Sequence, residues 1–281
     1  MHTVILGGTG NLGNEFIRWH HSRGTAVAAP RKEVIGSESS FESVRQYLKI
    51  IKPKIVINCA AMVGLDGCEA NPAQAYVVNA AFPLMLAAAC GEINARLIQI
   101  STDSVFSCSS PDEIHSENSC PEPTTVYGMS KLLGEAAAKN CRLWTVVRLP
   151  LLYGKSQGGV LIIDKLVKKL ASDGDVKVAV DVLNTPVYIP MAVRWIQDNV
   201  INSDLYHNRT VHIFSNRLTS LYELFSDVAS KGNLNGNIIP VNSEFFNTKV
   251  KKPKFGGLNS IFHTGLDHEN MLAAYINCLG K

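Results

Sequence analysis

The sequence predicts an α/β fold, a doubly wound parallel sheet with a smaller C-terminal lobe. Three observations carry this reading. Short apolar, β-branched runs alternate with helical segments through the first half of the chain. A glycine-rich turn stands between the first such run and the first helix. The alternation weakens after Gly154, where polar and loop-forming residues gather. Near-continuous apolar strands separated by helices imply a sheet covered on both faces. The expected boundaries are 1–154 for the sheet domain, with a return segment near 181–212, and 155–281 for most of the lobe.

Thr3-Val4-Ile5-Leu6 reads as the first strand, and Gly7-Gly8-Thr9-Gly10-Asn11-Leu12-Gly13 follows at once. Leu12, Phe16, Ile17 and Trp19 then recur at helical spacing. In this GxxGxxG pattern Gly7 permits a tight turn, Gly10 lets the backbone approach a pyrophosphate, and Gly13 lets the helix pack close to the strand. The N–H groups that open the helix, around Thr9, Asn11 and Leu12, face such phosphates with the helix dipole in support. Strand, glycine turn and helix make the first unit of a dinucleotide-binding βαβ fold.

Residues 25–29 form a second candidate strand and 41–51 a helix, with a third strand at 54–58. A long alanine-rich helix over 71–90 leads to a fourth strand at 96–100. The segment after Thr125 is helical, and 144–148 is a fifth strand. In the lobe, 160–170, 191–200, 218–228 and 266–279 are expected as helices and 176–180 as a short strand; 231–259 is expected to be rich in loops. Ligands bind at the carboxyl ends of parallel strands. The glycine turn, Ala60-Ala61-Met62-Val63, Ser101-Thr102-Asp103 and Arg148-Leu149-Pro150 all fall at such ends.

The composition is that of an ordinary globular protein. Its 281 residues suffice for a sizeable core, and a net charge of +3 gives no reason to expect a nucleic-acid surface. No apolar run reads as a membrane span, and the start lacks a basic, apolar, cleavable signal. The seven cysteines are scattered without CxxC or zinc spacing, and Cys59, Cys90 and Cys141 read as core thiols. A reduced, cytoplasmic protein without a metal site is expected.

Tyr127 and Lys131 stand four apart, so on a helix they share a face. A nearby ammonium favours the phenolate and would lower the tyrosine's pKa from about 10. A tyrosine tuned in this way can protonate a carbonyl oxygen or deprotonate an alcohol.

With these residues in place the chain resembles the extended short-chain dehydrogenases/reductases, and within them the dTDP-4-dehydrorhamnose reductase family. The resemblance rests on Gly7 to Gly13, on Ile57-Asn58-Cys59-Ala60-Ala61 with Asp66 and Glu69, and on Asn79. It continues through Ser101-Thr102-Asp103-Ser104-Val105-Phe106, Tyr127-Gly128-Met129-Ser130-Lys131, Gly134-Glu135, Arg148 to Gly154, and Asp181 with Pro186. It is dense over 1–154 and thin afterwards. It implies a Rossmann-type sheet with a substrate-binding lobe. The implied reaction is hydride transfer from NAD(P)H to the ketone carbon of a nucleotide-linked 4-keto-6-deoxysugar. In that reaction Tyr127 is the proton donor, Lys131 tunes it and binds the nicotinamide ribose, and Thr102 orients the ketone. Asp103, Leu151 and Asn184 are implied at the sugar. Ala60, Ala61, Met62, Val63, Asn79, Ser101 and Pro150 join the glycine turn at the coenzyme.

NADPH is the expected coenzyme, with NADH as the alternative. The second strand runs into Ala28-Ala29-Pro30-Arg31-Lys32, without the acid that binds a ribose 2′-hydroxyl, and Arg31 and Lys32 suit a 2′-phosphate. The family tends to carry an aspartate where Ser37 stands, a tryptophan where Leu151 stands, and a tyrosine where Ser104 stands. The last two swaps remove aromatic surface at the sugar and enlarge the pocket. Two other readings stand beside the reductase: a nucleotide-sugar epimerase or dehydratase on the same scaffold, and a non-catalytic NADP-binding regulatory subunit. A homodimer through the helices beginning near Asn71 and Thr125 is also implied.

Overall fold

The computed structural model describes residues 3–23, 27–28, 38–107, 110–248, 250 and 254–280. Six parallel strands form the central sheet: β1 Thr3–Leu6, β2 Val27–Ala28, β3 Ile55–Asn58, β4 Arg96–Thr102, β5 Trp144–Leu149 and β6 Arg209–His212. Their spatial order is β2-β1-β3-β4-β5-β6. The chain leaves β1 for β2 on one side and returns to β3 on the other, so the crevice at the ends of β1 and β3 is the switch point where such sheets hold nucleotides. The expected strand over 25–29 is seen at Val27–Ala28, the residues around it lying outside those described.

Side chains alternate across the sheet. Ile5, Ile57, Ile98 and Val147 face one core with Phe16, Val193 and Tyr275. Val4, Leu6, Val56 and Leu97 face the other with Val44, Leu48, Phe82 and Leu86. Because both faces are buried, the strands read as continuous apolar runs. Helices α1 Asn11–His21, α2 Glu38–Ile51, α3 Leu65–Ala70, α4 Pro72–Glu92 and α5 Val126–Ala138 belong to this half. By length and composition α4 could cross a membrane, which the sequence reading did not anticipate; here Phe82, Leu86, Ala89 and Cys90 bury one side of it in the core. It contains a π-helical turn at Val77–Ala81. Pro83 has no N–H to offer the Asn79 carbonyl four residues back, and the ladder widens there. Cys90 and Cys141 are buried as expected, whereas Cys59 is half-buried at the end of β3.

In the second half α6 Ile162–Asp173 ends on left-handed Gly174, and α7 spans 189–201 with a π-helical end. Helix α8 Leu221–Lys231 starts in a Ser220/Glu223 capping box, and α9 His268–Leu279 starts on Asp267. Thr219–Ser220, Leu183–Asn184, Phe255–Leu258 and Ile114–His115 form a small four-stranded sheet in that order. Asn237–Val241 pairs in parallel with Asp175–Ala179. The stretch 231–259 is therefore more ordered than expected: it supplies two strands despite its polar composition, Asn237–Val241 as an edge strand, where Pro240 is tolerated, and Phe255–Leu258 between Leu183–Asn184 and Ile114–His115. Strand β6, for which no separate strand was expected, pairs with β5 and completes the sheet at its far edge.

Candidate active site

Helix α5 presents the tyrosine–lysine face. Thr125 caps it, its Oγ1 accepting from the Gly128 N–H at 3.1 Å, and the Glu69 carboxylate accepts from the Val126 N–H at 2.8 Å. A side chain at Gly128 would overlap the Ser104 carbonyl, and one at Gly134 the Asn79 carbonyl, so α5 lies tight against both the end of β4 and the π turn of α4. Lys131 is buried, and its Nζ donates to the Ile100 carbonyl at 2.6 Å. Burial holds its pKa down to about 8, opposed by the Glu135 carboxylate. The expectation that Lys131 lowers the Tyr127 pKa is corrected here. Burial pushes the phenol above its ordinary value, the adjacent Thr102 hydroxyl only partly offsetting it, while the lysine ammonium is turned to the strand carbonyl.

Thr102, the last residue of β4, donates from Oγ1 to Asp103 Oδ1 at 2.9 Å, and the Ser104 N–H donates back to that Oγ1 at 3.2 Å. Asn184 Nδ2 donates to Asp103 Oδ2 at 2.8 Å, and the Leu151 N–H donates to Asn184 Oδ1 at 3.0 Å. The neighbours Thr102 and Asp103 thus form one bonded row beside Tyr127 with Asn184 and Leu151, which are distant in sequence. Burial pushes the Asp103 carboxyl up, and hydrogen bonds from Asn184, Thr102 and Ser104 oppose this. Gly256 of the small sheet lies over the row, where a side chain would collide with Asn184 and Asp103.

The glycine turn is built as the sequence requires. Gly7 has φ +77°, and a Cβ on it would lie 2.6 Å from the Ala60 nitrogen, so only glycine lets the turn meet the loop after β3. The Gly10 N–H donates to the Gly7 carbonyl at 3.0 Å, and a Cβ on Gly13 would overlap the same carbonyl. No side chain caps α1, which leaves its first N–H groups, at Asn11, Leu12 and Gly13, to face an anion. The turn therefore fits a dinucleotide pyrophosphate. In the loop after β3 the Ala60 N–H donates to Asn58 Oδ1 at 3.1 Å, and Ala61 and Met62 are half-buried while Val63 is exposed.

Two residues expected at the coenzyme are committed elsewhere. Asn79 is 1% exposed; its Oδ1 accepts from the Met62 N–H at 2.9 Å, and its Nδ2 donates to the Met62 carbonyl at 2.9 Å and to Ser130 Oγ at 3.0 Å. It shapes the loop instead of reaching into the cleft. The Ser101 hydroxyl is buried and donates to Glu135 Oε1 at 2.5 Å. Pro150 is buried at the end of β5. Arg31, Lys32 and Ser37 lie outside the described residues.

Sequence reasoning gave Glu135 and Arg148 no role, yet they form a buried bidentate pair, Nη2 to Oε2 at 2.7 Å and Nε to Oε1 at 2.9 Å. Arg148 Nη1 also donates to His212 Nε2 at 3.3 Å, so His212 carries its proton on Nδ1 and donates it to the Asn259 carbonyl at 2.9 Å. The available signal was an arginine next to the end of a largely apolar strand, because a charge buried in a sheet must be paired.

This fold, with a threonine, a tyrosine and a lysine gathered at the strand ends beside a glycine turn, defines a dinucleotide-binding oxidoreductase of the short-chain type. The chain belongs to the RmlD substrate binding domain family, whose model matches residues 1–265. It is 26% identical to the spore coat polysaccharide biosynthesis protein SpsK of Bacillus subtilis over 91% of this chain and 88% of that protein. It is 35% identical to a dTDP-4-dehydrorhamnose reductase of Streptomyces griseus over 63% of this chain, which spans 58% of that enzyme. The crystal structure of dTDP-4-dehydrorhamnose reductase from Bacillus anthracis in complex with NADP superposes with a TM-score of 0.90, at 26% identity over 98% of both chains.

Proposed function

We propose that this protein is an NADPH-dependent reductase of a nucleotide-linked 4-keto-6-deoxysugar, serving surface polysaccharide synthesis. The observation that supports the reading is the Thr102–Asp103–Asn184–Leu151 row, with Tyr127 beside Thr102, at the carboxyl end of the sheet where the glycine turn also lies. The bound coenzyme supplies hydride to the ketone carbon. Tyr127 gives its proton to the oxygen as negative charge develops there, and the product is an alcohol. Lys131, protonated below about pH 8, stabilises the phenolate left behind once its ammonium swings from the Ile100 carbonyl. Thr102 and Asp103 orient the sugar, and Asn184 fixes Asp103. Gly7, Thr9, Gly10, Asn11, Leu12 and Gly13 hold the pyrophosphate through backbone N–H groups, and Arg31 and Lys32 are assigned to the 2′-phosphate.

Leu151 stands where the family tends to carry an aromatic residue, and the loss of that aromatic surface supports a substrate that differs in sugar or nucleotide from the precursor of dTDP-rhamnose. Leu84, Met129 and Leu133, on α4 and α5, are 52%, 38% and 46% exposed. They support a homodimer that covers them. The test is NADPH oxidation against dTDP-, GDP-, UDP- and CDP-linked 4-keto-6-deoxysugars. Turnover in one nucleotide series is expected; NADPH binding without oxidation of any would shift the reading to an epimerase or a binding subunit.

A further inference from the structure

One stretch of the lobe reaches back to the glycine turn. Residues 155–161 run from Gly154 to the start of α6 and on the way press against Thr9 and Gly10. Gly158 packs on the Thr9 carbonyl so closely that any side chain there would overlap it. Asn11, the first residue of α1, uses both ends of its amide on this stretch. Its Oδ1 accepts from the Gln157 N–H at 2.7 Å and the Gly158 N–H at 3.1 Å, and its Nδ2 donates to the Gly159 carbonyl at 3.2 Å. The other end is tied down by Ser156, whose Oγ accepts from the Leu161 N–H at 3.1 Å. Thr9 stays exposed, so the turn is covered from one side only.

We infer that Asn11 is a positioning residue of the coenzyme site, latching 157–159 as a strap across the glycine turn, and that this strap governs how fast the coenzyme leaves. The inference rests on the coenzyme reading above. A turn made largely of glycines has little of its own to hold its peptide planes still. The strap supplies that restraint at Thr9-Gly10, so the N–H groups meant for the pyrophosphate are ordered before it arrives, which lowers the cost of binding. It also joins the phosphate end of the site to α6, so loosening the coenzyme means lifting a piece of the lobe.

Two variants separate a latch from a direct ligand contact. Asn11→Ala removes all three hydrogen bonds. Gly158→Ala leaves Asn11 in place but sets a methyl against the Thr9 carbonyl and forces the strap up. The measurement is release of NADPH from the full-length chain, followed by its fluorescence in stopped flow after displacement with excess NADP⁺. Each variant is expected to speed release about ten-fold, the size of one net hydrogen bond, and the double variant to be no faster than either. Faster release in Asn11→Ala alone would mean that Asn11 touches the coenzyme itself and would overturn the inference. So would release unchanged in both. A wild-type chain that fails to bind NADPH would instead overturn the coenzyme reading on which the inference stands. Should Gly158→Ala not fold, Gln157→Pro, which deletes the shortest of the three bonds, takes its place with the same expected result.

Discussion

Tyr127 and Lys131 share a helical face, as four-residue spacing requires, but their surroundings set their acidities more than their mutual distance does. Burial makes the phenol a weaker acid and the ammonium a stronger one. The Tyr127→Phe chain should lose about 10²–10⁴-fold in kcat, the worth of a positioned proton donor, while binding NADPH nearly as before. Steady-state NADPH oxidation beside a fluorescence titration checks this, and turnover like that of wild type would remove Tyr127 from the role. Because the Lys131 pKa lies at about 8, kcat/KM should fall as pH rises through that value and the ammonium is lost. The Glu135 carboxylate props that pKa up, so in Glu135→Gln the alkaline limb should move to lower pH. A limb that stays put in the variant would show that another group limits the rate there.

At the level of elements, the site depends on how closely α5 approaches α4 and the end of β4. Gly134 lies against the Asn79 carbonyl at the π turn, with no room for a methyl. Gly134→Ala should cost about 1–3 kcal/mol of stability by forcing the helices apart. Urea unfolding measures it, and an unshifted midpoint would mean that the pair slides apart freely. Helix α5 was legible in the sequence as the segment after Thr125 that carries the four-residue spacing of Tyr127 and Lys131, and strands β1, β3, β4 and β5 were legible as apolar runs. Strand β6 was not, because Arg209 and His212 take the ends of a four-residue segment whose only fully apolar member is Val211. The site divides in the same way. The glycine turn, Thr102, Tyr127 and Lys131 were readable because their chemistry imposes local spacing. The work of Asn11, and the pairing of Glu135 with Arg148, depend on partners that only the folded chain brings near.

Across the whole molecule, buried imidazoles set the response to acid. His212 sits between Arg148 and the Asn259 carbonyl, and burial holds its pKa down to about 4. His20, His115, His263 and His268 are shifted downward as well. An unfolded histidine takes up its proton near pH 6.5, whereas the folded His212 resists until about 4. Stability from this residue is therefore complete above about pH 6.5 and is lost as pH falls towards 4, by up to about 3 kcal/mol. Melting temperatures between pH 7 and 4.5 should drop accordingly, and less steeply in His212→Gln; parallel profiles would assign the acid response elsewhere. His212 also ends the strand that completes the sheet, and this bears on how the protein is made. The glycine turn is translated well before residues 209–212, and β5 has no outer neighbour until those residues appear. Until then its edge is an open template for pairing with other nascent chains. The coenzyme-binding sheet therefore cannot finish folding when its first five strands have been made, and must wait for residues 209–212 to be translated.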